Sequence, residues 1–574
     1  MAVSRGTDVT AGQQPSVARP PIDAAITPAS QQSTSSGSAW EPLRVPVFRA
    51  LWLASVTSNI GWYAHDVGAA WLMTSMTTSP LLVSLLQTAA SIPVFMLALP
   101  AGALADLASR RQLLIIANLG VTAIATMLAV VSVWGVVSPE LLLAFTFALG
   151  VGAAFNNPAW QATIPEVVPR PLVPAATTLN GVNINLARAL GPAIGGLLVA
   201  AAGPPAVFTL NAVATFVIVV VVWRWRGEDA RVTAAPAERL AGAMRAGLRF
   251  VRFSQELRPV LIRALTFIVC GSAVWALLPL LARERLGLGA TQYGFLLGSL
   301  GAGAVLASNF LPSWRRRLNV DRLVIVATLV LAALLVLLSI NRSYPIAVFL
   351  MFVVGMAWIA LMPTFNVAAI QALPTWVRAR GLAIYSVIYQ GGTAAGGIIW
   401  GTVATVTSVP TALLIAAGGL AFGVVLAPLF PMRRVEDVDL SPAGHWPTIE
   451  GIVPAAEAEA GPVMVSVEYQ IDPANRDAFL KLVYGGRSTR RRDGAYAWGI
   501  YQDTEDPSRF IEEFLVESWT EHIRQHARAT RQDQAQEALA RAFHVGPASP
   551  RVRHHVYAEL PRERHGRFSR RSAS

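Results

Sequence analysis

The chain has 574 residues, of which 54% are hydrophobic and only 14% are charged. Soluble domains usually carry about a quarter charged residues, so the charge deficit indicates a membrane protein and excludes an ordinary soluble one. The formal net charge is +12, and in an apolar chain such an excess favours basic cytoplasmic loops over nucleic-acid binding. Cys270 is the only cysteine, which excludes an intramolecular disulfide and a cysteine-based metal cluster.

Lysine is almost absent, and this excludes ATP-driven pumping by the chain itself. Lys481 is the only lysine, and it follows Leu480 rather than a glycine. A Walker A loop ends in Gly-Lys-Ser or Gly-Lys-Thr, because its lysine holds the nucleotide phosphates. We therefore predict that the chain is not an ATP-driven pump by itself.

The first segment, residues 1–39, is rich in Ser, Pro, Gln, Ala and Thr. It contains no apolar run, so it can neither bury a core nor act as a signal peptide. We expect it to form a disordered cytoplasmic tail.

Twelve apolar segments follow in the sequence. A helix needs about 20 residues to cross a hydrocarbon core of about 30 Å. The predicted segments are 49–73, 79–101, 112–137, 139–161, 177–202, 206–223, 259–282, 293–312, 322–340, 344–370, 379–404 and 410–430. We therefore predict an all-α membrane protein with twelve transmembrane helices, surrounded by the lipid bilayer.

The segments form two similar halves. Phe155-Asn156 at the end of the fourth segment recurs as Phe365-Asn366 at the end of the tenth. The predicted domains are a six-helix half over 40–226, a cytoplasmic linker over 227–258 and a second six-helix half over 259–434. Transporters built from parallel repeats place the substrate between the halves near the bilayer midplane. A membrane protein of the same size without transport activity is the alternative.

Arginines are concentrated on one side of this arrangement. With the N-terminus inside, the inside connections carry the basic linker and Arg110, Arg111, Arg170, Arg315, Arg316, Arg317, Arg322, Arg378, Arg380, Arg433 and Arg434. The outside connections carry only Arg283, Arg285 and Arg342. Because basic residues stay on the cytoplasmic side, we predict a multi-pass protein of the plasma membrane with both termini in the cytoplasm.

The connection between the second and third segments carries a possible gate. It reads Gly-Ala-Leu-Ala-Asp-Leu-Ala-Ser-Arg-Arg from Gly102 to Arg111. A glycine at the start allows close helix approach, and Asp106 can pair with a basic residue across the cytoplasmic face. We predict that this motif, including Arg110, stabilises one access state. It resembles the Gly-x-Leu-Ala-Asp-x-x-Gly-Arg-Arg signature of the major facilitator superfamily, with Ser109 in place of the second glycine.

The fifth segment carries a second motif, with Gly191, Pro192, Gly195 and Gly196 within six residues. Small residues let two helices meet closely, and the proline bends the helix. The motif resembles the Gly-Pro-x-x-Gly-Gly pattern of proton-coupled antiporters in the same superfamily, in which it accompanies export. Ordinary packing of small residues is the alternative interpretation.

Two ionisable residues lie within predicted transmembrane helices, Asp66 in the first and Arg188 in the fifth. Such groups are costly in hydrocarbon and indicate a functional site. The residues that share their helical faces, and that we assign with Arg188 to the substrate cavity, are Asn59, Trp62, Tyr63 and Asn185. We predict that Asp66 is the proton-coupling group. A fixed ion pair between Asp66 and Arg188 is the structural alternative.

The end of the fourth segment narrows the resemblance from the superfamily to one of its branches. Residues 155–166 read Phe-Asn-Asn-Pro-Ala-Trp-Gln-Ala-Thr-Ile-Pro-Glu and closely resemble the transmembrane secretion effector branch of the superfamily, the enterobactin-exporter-like proteins. The resemblance extends over about residues 40–560. It implies a proton-driven exporter of a siderophore, secondary metabolite or drug, which works by alternating access and needs no cofactor besides the proton gradient.

A soluble domain follows the membrane part. The predicted order is a linker over 435–461, a cytoplasmic domain over 462–560 and a basic tail over 561–574. Strands are predicted at 463–471, 495–502, 510–519 and 552–560, with helices at 473–484 and between 520 and 542. This β-α-β-β-α-β order predicts a ferredoxin-like domain. It resembles the antibiotic-biosynthesis-monooxygenase fold, which implies dimerisation through this domain.

Two histidines of this domain share one helix face, because His522 and His526 are four residues apart. This spacing can bind a metal, but no further ligand is clustered with them in the sequence. We therefore expect exposed histidines and no metal site.

Three functions are compatible with these patterns. Export of a small molecule is favoured by the motif of the fifth segment. Import by the same fold is the second, and a membrane-tethered enzyme that acts through the monooxygenase-like domain is the third. No flavin, haem or metal motif supports the third, so we predict a transporter rather than an enzyme, with a small-molecule substrate and no nucleic-acid partner.

Overall fold

A computed structural model describes residues 38, 40–107, 109–225, 240–432, 439–441, 443 and 461–558. The predicted basic tail at 561–574 lies outside these ranges, as does the predicted tail at 1–39 apart from Ser38.

The first half is a bundle of six long helices. They are α1 (Pro46–Met76), α2 (Pro80–Leu107), α3 (Arg110–Val133), α4 (Pro139–Val167), α5 (Val173–Ala202) and α6 (Pro204–Arg224). Four of them begin at a proline. Proline suits the first helical position because a backbone N–H there would have no partner within the helix, so its absence costs no hydrogen bond. Ser138 caps α4 by accepting a hydrogen bond from the backbone N–H of Leu141.

The second half repeats this plan with one break. It is preceded by a linker helix, α7 (Leu240–Phe253), and its helices are α8 (Leu257–Gly271), α9 (Ala273–Leu280), α10 (Ala290–Arg317), α11 (Val320–Ile340), α12 (Tyr344–Gln371), α13 (Arg378–Val406) and α14 (Val409–Val425). The predicted segment 259–282 is interrupted at Ser272, whose hydroxyl donates to the backbone oxygen of Val269 at 2.7 Å. Helix α7 lies within the predicted linker, where the sequence analysis did not anticipate a helix.

Ten helical segments of the described chain are long and apolar enough to cross a membrane, with α8, α9 and the turn after them counted as one, Leu257–Arg285. The two predicted segments that are not among them are α1 and α14. Helix α14 has 17 residues, which is short for a span. Helix α1 has 31 residues but carries the polar stripe that includes Asp66.

The two halves meet chiefly along two helix pairs, α2 with α13 and α5 with α10. Each pair joins the second long helix of one half to the fifth of the other, as expected for two related halves. We call the end of the bundle at the α1–α2 and α5–α6 connections the arginine-poor end. The end at the α2–α3 and α4–α5 connections is the arginine-rich end.

The C-terminal domain is a four-stranded antiparallel sheet with helices. Its elements are β1 (Val463–Gln470), α15 (Arg476–Asp493), β2 (Ala497–Gln502), β3 (Arg509–Val516), α16 (Trp519–Arg528), α17 (Arg531–Ala542) and β4 (Arg551–Val556). The strand order is β2-β3-β1-β4, with Val463 opposite Val516 on one side and Val556 on the other. The core of the domain includes the buried rings of Phe479, Phe510 and Phe514.

This domain packs against the membrane part through α7. Arg249 of α7 donates to Glu521 of α16 at 2.6 Å. The guanidinium of Arg528, at the end of α16, lies 4.7 Å from the ring of Trp376 in the α12–α13 connection. Trp376 in turn contacts Phe250 of α7, with 5.7 Å between ring centroids. The C-terminal domain therefore touches both the linker helix and the arginine-rich end of the second half.

Candidate functional site

A cavity of about 410 Å³ lies between the two halves. Residues of α1, α2, α4 and α5 line it from one half, and residues of α8, α9, α10, α12 and α13 line it from the other. Its aromatic walls consist of Trp62, Tyr63, Trp275, Tyr293, Trp358 and Tyr389. A central, mostly apolar cavity with a few polar groups is the usual form of a small-molecule site.

Two charged groups enter this cavity, as the sequence analysis expected for α1 and α5. Asp66 is exposed to it, and Arg188 is half-buried in its wall. The Nε atom of Arg188 donates to the hydroxyl of Tyr63 at 3.3 Å. Within the described chain, no ion pair within 4.0 Å joins Asp66 to Arg188. The structural alternative, a fixed ion pair between Asp66 and Arg188, is therefore not formed in this conformation.

The predicted polar stripe of α1 divides between two roles. Trp62 and Tyr63 line the cavity with Asp66, whereas Asn59 does not. The amide of Asn59 donates to Asn183 of α5 at 3.2 Å, so it joins two helices of the same half. Asn185 is also absent from the cavity wall. Neither Asn59 nor Asn185 therefore lines the cavity in this conformation.

The glycine motif of α5 lies where three helices meet. A Cβ atom at Gly195 would lie 2.7 Å from Ala64 Cα of α1, and one at Gly196 would lie 2.7 Å from the oxygen of Ala290 in α10. Gly191 also faces α1, and Pro192 lines the cavity. The motif thus brings α5 into close contact with its own half on one face and with the opposite half on another.

Further contacts join the halves at the arginine-poor end. Thr88 of α2 donates to the backbone oxygen of Ala394 in α13 at 2.8 Å. Arg283, in the turn after α9, donates to Thr74 of α1 at 3.3 Å and lies 5.4 Å from the ring of Trp71. These contacts join the two halves at this end of the cavity. The sequence places Arg283 in an outside connection but gives no sign of its partner in the other half.

Gly102, near the arginine-rich end of α2, has no close neighbour among the described residues. No described atom lies within 4 Å of the position that a Cβ at Gly102 of α2 would occupy. Within the described residues, the close helix approach predicted at Gly102 is not made in this conformation. At the opposite, arginine-poor end the halves are joined by the contacts of α5 with α10, of Thr88 with α13 and of Arg283 with α1.

The other residues of the predicted gate contact their own half. Arg110 pairs with Glu166 near the end of α4 and donates to the oxygen of Ala162 at 3.1 Å. Arg111 donates to the backbone oxygens of Val222 and Trp223 in α6, at 3.2 and 2.6 Å. Both arginines therefore tie the start of α3 to the last turns of neighbouring helices. The side chain of Asp106 lies outside the described residues.

The C-terminal domain holds a second cluster of polar groups. His522 is fully buried, so the expectation of exposed histidines is wrong for it. The sheet places His554 of β4 beside His522 and His526, a neighbour that sequence spacing could not reveal. Burial, and to a smaller extent the imidazoles of His526 and His554, lowers the pKa of His522 to about 3. Its imidazole is therefore neutral at pH 7.

Solved structures share the architecture of the membrane part. A variant of the nucleoside transporter NupG superimposes with a TM-score of 0.54 at 13% identity and covers 67% of this chain and 99% of its own. A bacterial homologue of the human lysosomal transporter Spinster has a TM-score of 0.55 at 13% identity and covers 70% and 99%. At such low identity these similarities establish the fold alone.

Sequence relatives and the family match agree with this fold. The chain is 24% identical to the multidrug efflux pump Tap of Mycolicibacterium fortuitum over 394 residues, which are 67% of this chain and 95% of Tap. It is 26% identical to the enterobactin exporter EntS of Shigella boydii over 267 residues, 46% of this chain and 62% of EntS. Residues 37–562 match the family described as transmembrane secretion effector. The chain belongs to the transmembrane secretion effector family, and it is a multi-pass membrane transporter of the major facilitator type.

Proposed function

We propose that the protein exports a small amphipathic molecule across the bacterial plasma membrane by alternating access, driven by a proton gradient. The observation that carries this proposal is the central cavity, which contains Asp66 and Arg188 and has contacts between the halves at one end. In this proposal α1 and α14 cross the membrane with the ten apolar segments, which makes twelve helices. The four-stranded domain is ferredoxin-like, since β2-β3-β1-β4 is its strand order.

The arginine asymmetry supports an orientation with the arginine-rich end in the cytoplasm. The contacts that join the halves then lie at the outer end of the cavity. An exporter must load substrate from the cytoplasm, and this conformation suits loading because contacts join the halves at the opposite end. Opening of the other end requires that the contacts of α5 with α10 and of α2 with α13 break.

Asp66 is the leading candidate for proton coupling. A coupled exporter needs a group that changes its charge between the two access states. Asp66 can do so, since a carboxyl group is neutral when protonated, whereas a guanidinium stays charged. Asp66 is exposed to the cavity and lacks an ion pair within the described chain, so a proton and a substrate can both reach it.

The cavity favours a substrate with an aromatic part and an anionic group. Aromatic side chains from both halves line it, and rings stack or meet edge to face with aromatic ligands. Arg188 supplies a permanent positive charge that suits a carboxylate or phenolate. The names of the relatives, a multidrug efflux pump and an enterobactin exporter, support export of a siderophore, secondary metabolite or drug.

Proteoliposomes with an imposed proton gradient test this proposal. A screen for resistance and efflux in a strain without its own exporters first supplies a substrate. We expect Asp66→Asn to abolish uphill transport and to leave downhill exchange, since the cavity keeps its shape. Glu140→Gln is the matched control, because Glu140 lies in the first turn of α4 and does not line the cavity.

Two results would refute parts of the proposal. Normal uphill transport by Asp66→Asn would place the coupling group elsewhere. Substrate accumulation in the cytoplasm rather than efflux, in the same strain, would identify an importer of the same fold.

A further inference from the structure

Three histidines of the C-terminal domain converge on one point. His522 and His526 lie on one face of α16, and His554 lies on β4 at the edge of the sheet. One ring nitrogen from each imidazole lies within 4.8 Å of the other two. The Nε2 atoms of His522 and His526 are 3.2 Å apart.

These distances fit a metal ion with nitrogen ligands. In a tetrahedral zinc site with bonds of about 2.0–2.1 Å, neighbouring ligand nitrogens are separated by roughly 3.3 Å. The separation of His522 and His526 is already 3.2 Å. The nitrogen of His554 needs to approach by no more than about 1.5 Å, which rotation of its imidazole about a broad side-chain torsion can supply.

The surroundings of His522 orient its ring for this role. Its Nδ1 atom lies 3.4 Å from the Oε1 atom of Gln525, which can only accept a hydrogen bond. With the proton on Nδ1, as this contact favours, the lone pair of Nε2 is directed at His526. Metal-binding histidines commonly have such a partner on the other ring nitrogen. Trp519 packs against the rings of His522 and His554, with centroids 5.5 and 5.8 Å away.

A nearby positive charge does not oppose a cation here, because it is compensated. The positive charge is the guanidinium of Arg490, which acts electrostatically on His522. It donates to Glu512 at 3.1 Å and to Glu537 at 2.8 Å. Two carboxylates therefore balance this arginine.

We propose that His522, His526 and His554 bind one divalent first-row transition-metal ion of the zinc class. Three imidazoles suit Zn²⁺, Co²⁺, Ni²⁺ or Cu²⁺ rather than Mg²⁺ or Ca²⁺, which prefer oxygen ligands. Three protein ligands leave a fourth position for water or for a donor atom of another molecule.

The bound ion would fasten α16 to the edge of the sheet. The same helix carries Glu521, which contacts Arg249 of α7, and Arg528, which contacts Trp376. The metal would therefore stabilise the surface through which this domain packs against the membrane part. This inference does not depend on the substrate or on the direction of transport.

Cobalt titration of the full-length chain tests the site. The protein is purified in detergent with a tag that contains no histidine, and Co²⁺ binding is followed by the visible absorption of the tetrahedral ion. Equilibrium dialysis with Zn²⁺ supplies the stoichiometry. We expect one ion per chain, and we expect His554→Ala and His526→Ala each to weaken binding at least about tenfold, the loss that removal of even an outer-shell partner causes.

His555→Ala is the matched control, since His555 is the next residue of β4 and its side chain is exposed. It should bind as the wild type does. Thermal unfolding without metal verifies that each variant is folded. If His554→Ala is not folded, His526→Ala provides the test of metal binding, because His526 is only half-buried. Absence of Co²⁺ and Zn²⁺ binding by the wild type, or equal binding by the wild type and a folded histidine variant, would overturn the proposal.

Discussion

The contact between α5 and α10 offers a direct test of alternating access. Gly196→Ala would place a Cβ atom 2.7 Å from the oxygen of Ala290 and 2.9 Å from Gly294 Cα. Both are backbone atoms, so the overlap can be relieved only if the helices move apart. Because this contact joins the halves at the arginine-poor end, we expect the substitution to destabilise the conformation described here relative to the opposite access state.

The magnitude follows from the cost of overpacking. Forcing a methyl group into a tight contact costs about 1–3 kcal/mol, and a change of this size shifts a two-state ratio about 5- to 150-fold. Alanine also favours a helix over glycine by about 1 kcal/mol. That gain is common to both access states, so it does not alter their ratio.

Alkylation of a single cysteine measures the shift. In a Cys270→Ser background, Ala394→Cys places the thiol at a buried residue of α13 whose backbone oxygen accepts from Thr88, away from the altered contact. We expect Gly196→Ala to increase the rate at which a membrane-impermeant maleimide reaches this thiol from the arginine-poor side. Gly181→Ala is the control, because no described atom lies within 4 Å of a Cβ at that position of α5. Equal labelling rates in the two variants would refute the assignment of this contact to a gate.

The remaining predictions concern charge, docking and topology. Arg188→Ala should impair transport of anionic substrates more than that of neutral analogues, and equal losses in a transport assay would contradict a role in charge recognition. Arg249→Ala should weaken packing of the C-terminal domain against α7 by about 1–3 kcal/mol, the cost of a lost partner for a charged group. The loss should stay within this range because Glu521 keeps Arg528 as a partner. Hydrogen exchange should increase in α16, and the variant Arg252→Ala, which changes an exposed residue of α7, should not show this increase. Reporter fusions after Gly227 and Pro442 should both report cytoplasm, and an external signal from either would contradict the proposed topology.

Local patterns in the sequence were sufficient to predict most of the membrane helices. Their length follows from the thickness of the bilayer and the rise of a helix, and both act on a continuous stretch of chain. The loop motif, the glycine motif of α5 and residues 155–166 were likewise local, and they led to the family that the match over residues 37–562 confirms. The strand and helix order of the C-terminal domain was also readable, although the second helical stretch divides into α16 and α17.

The composition of the site depended on contacts between distant segments. Asp66 and Arg188 could be chosen because charge within an apolar segment is conspicuous. Trp275 and Tyr389 could not, since aromatic residues are common in membrane helices and only the packing of the second half directs these two into the cavity. The break at Ser272 directly follows Gly271, the last residue of α8, and glycine weakens a helix.

The histidine cluster shows the same division between sequence and structure. The spacing of His522 and His526 follows from the helical period, so the sequence by itself determined that these two share a face. His554 lies on a strand formed 28 residues after His526, and its position depends on the pairing of β4 with β1. Sheet pairing joins segments that no local periodicity relates, so only the tertiary structure decided that the pair has a third member.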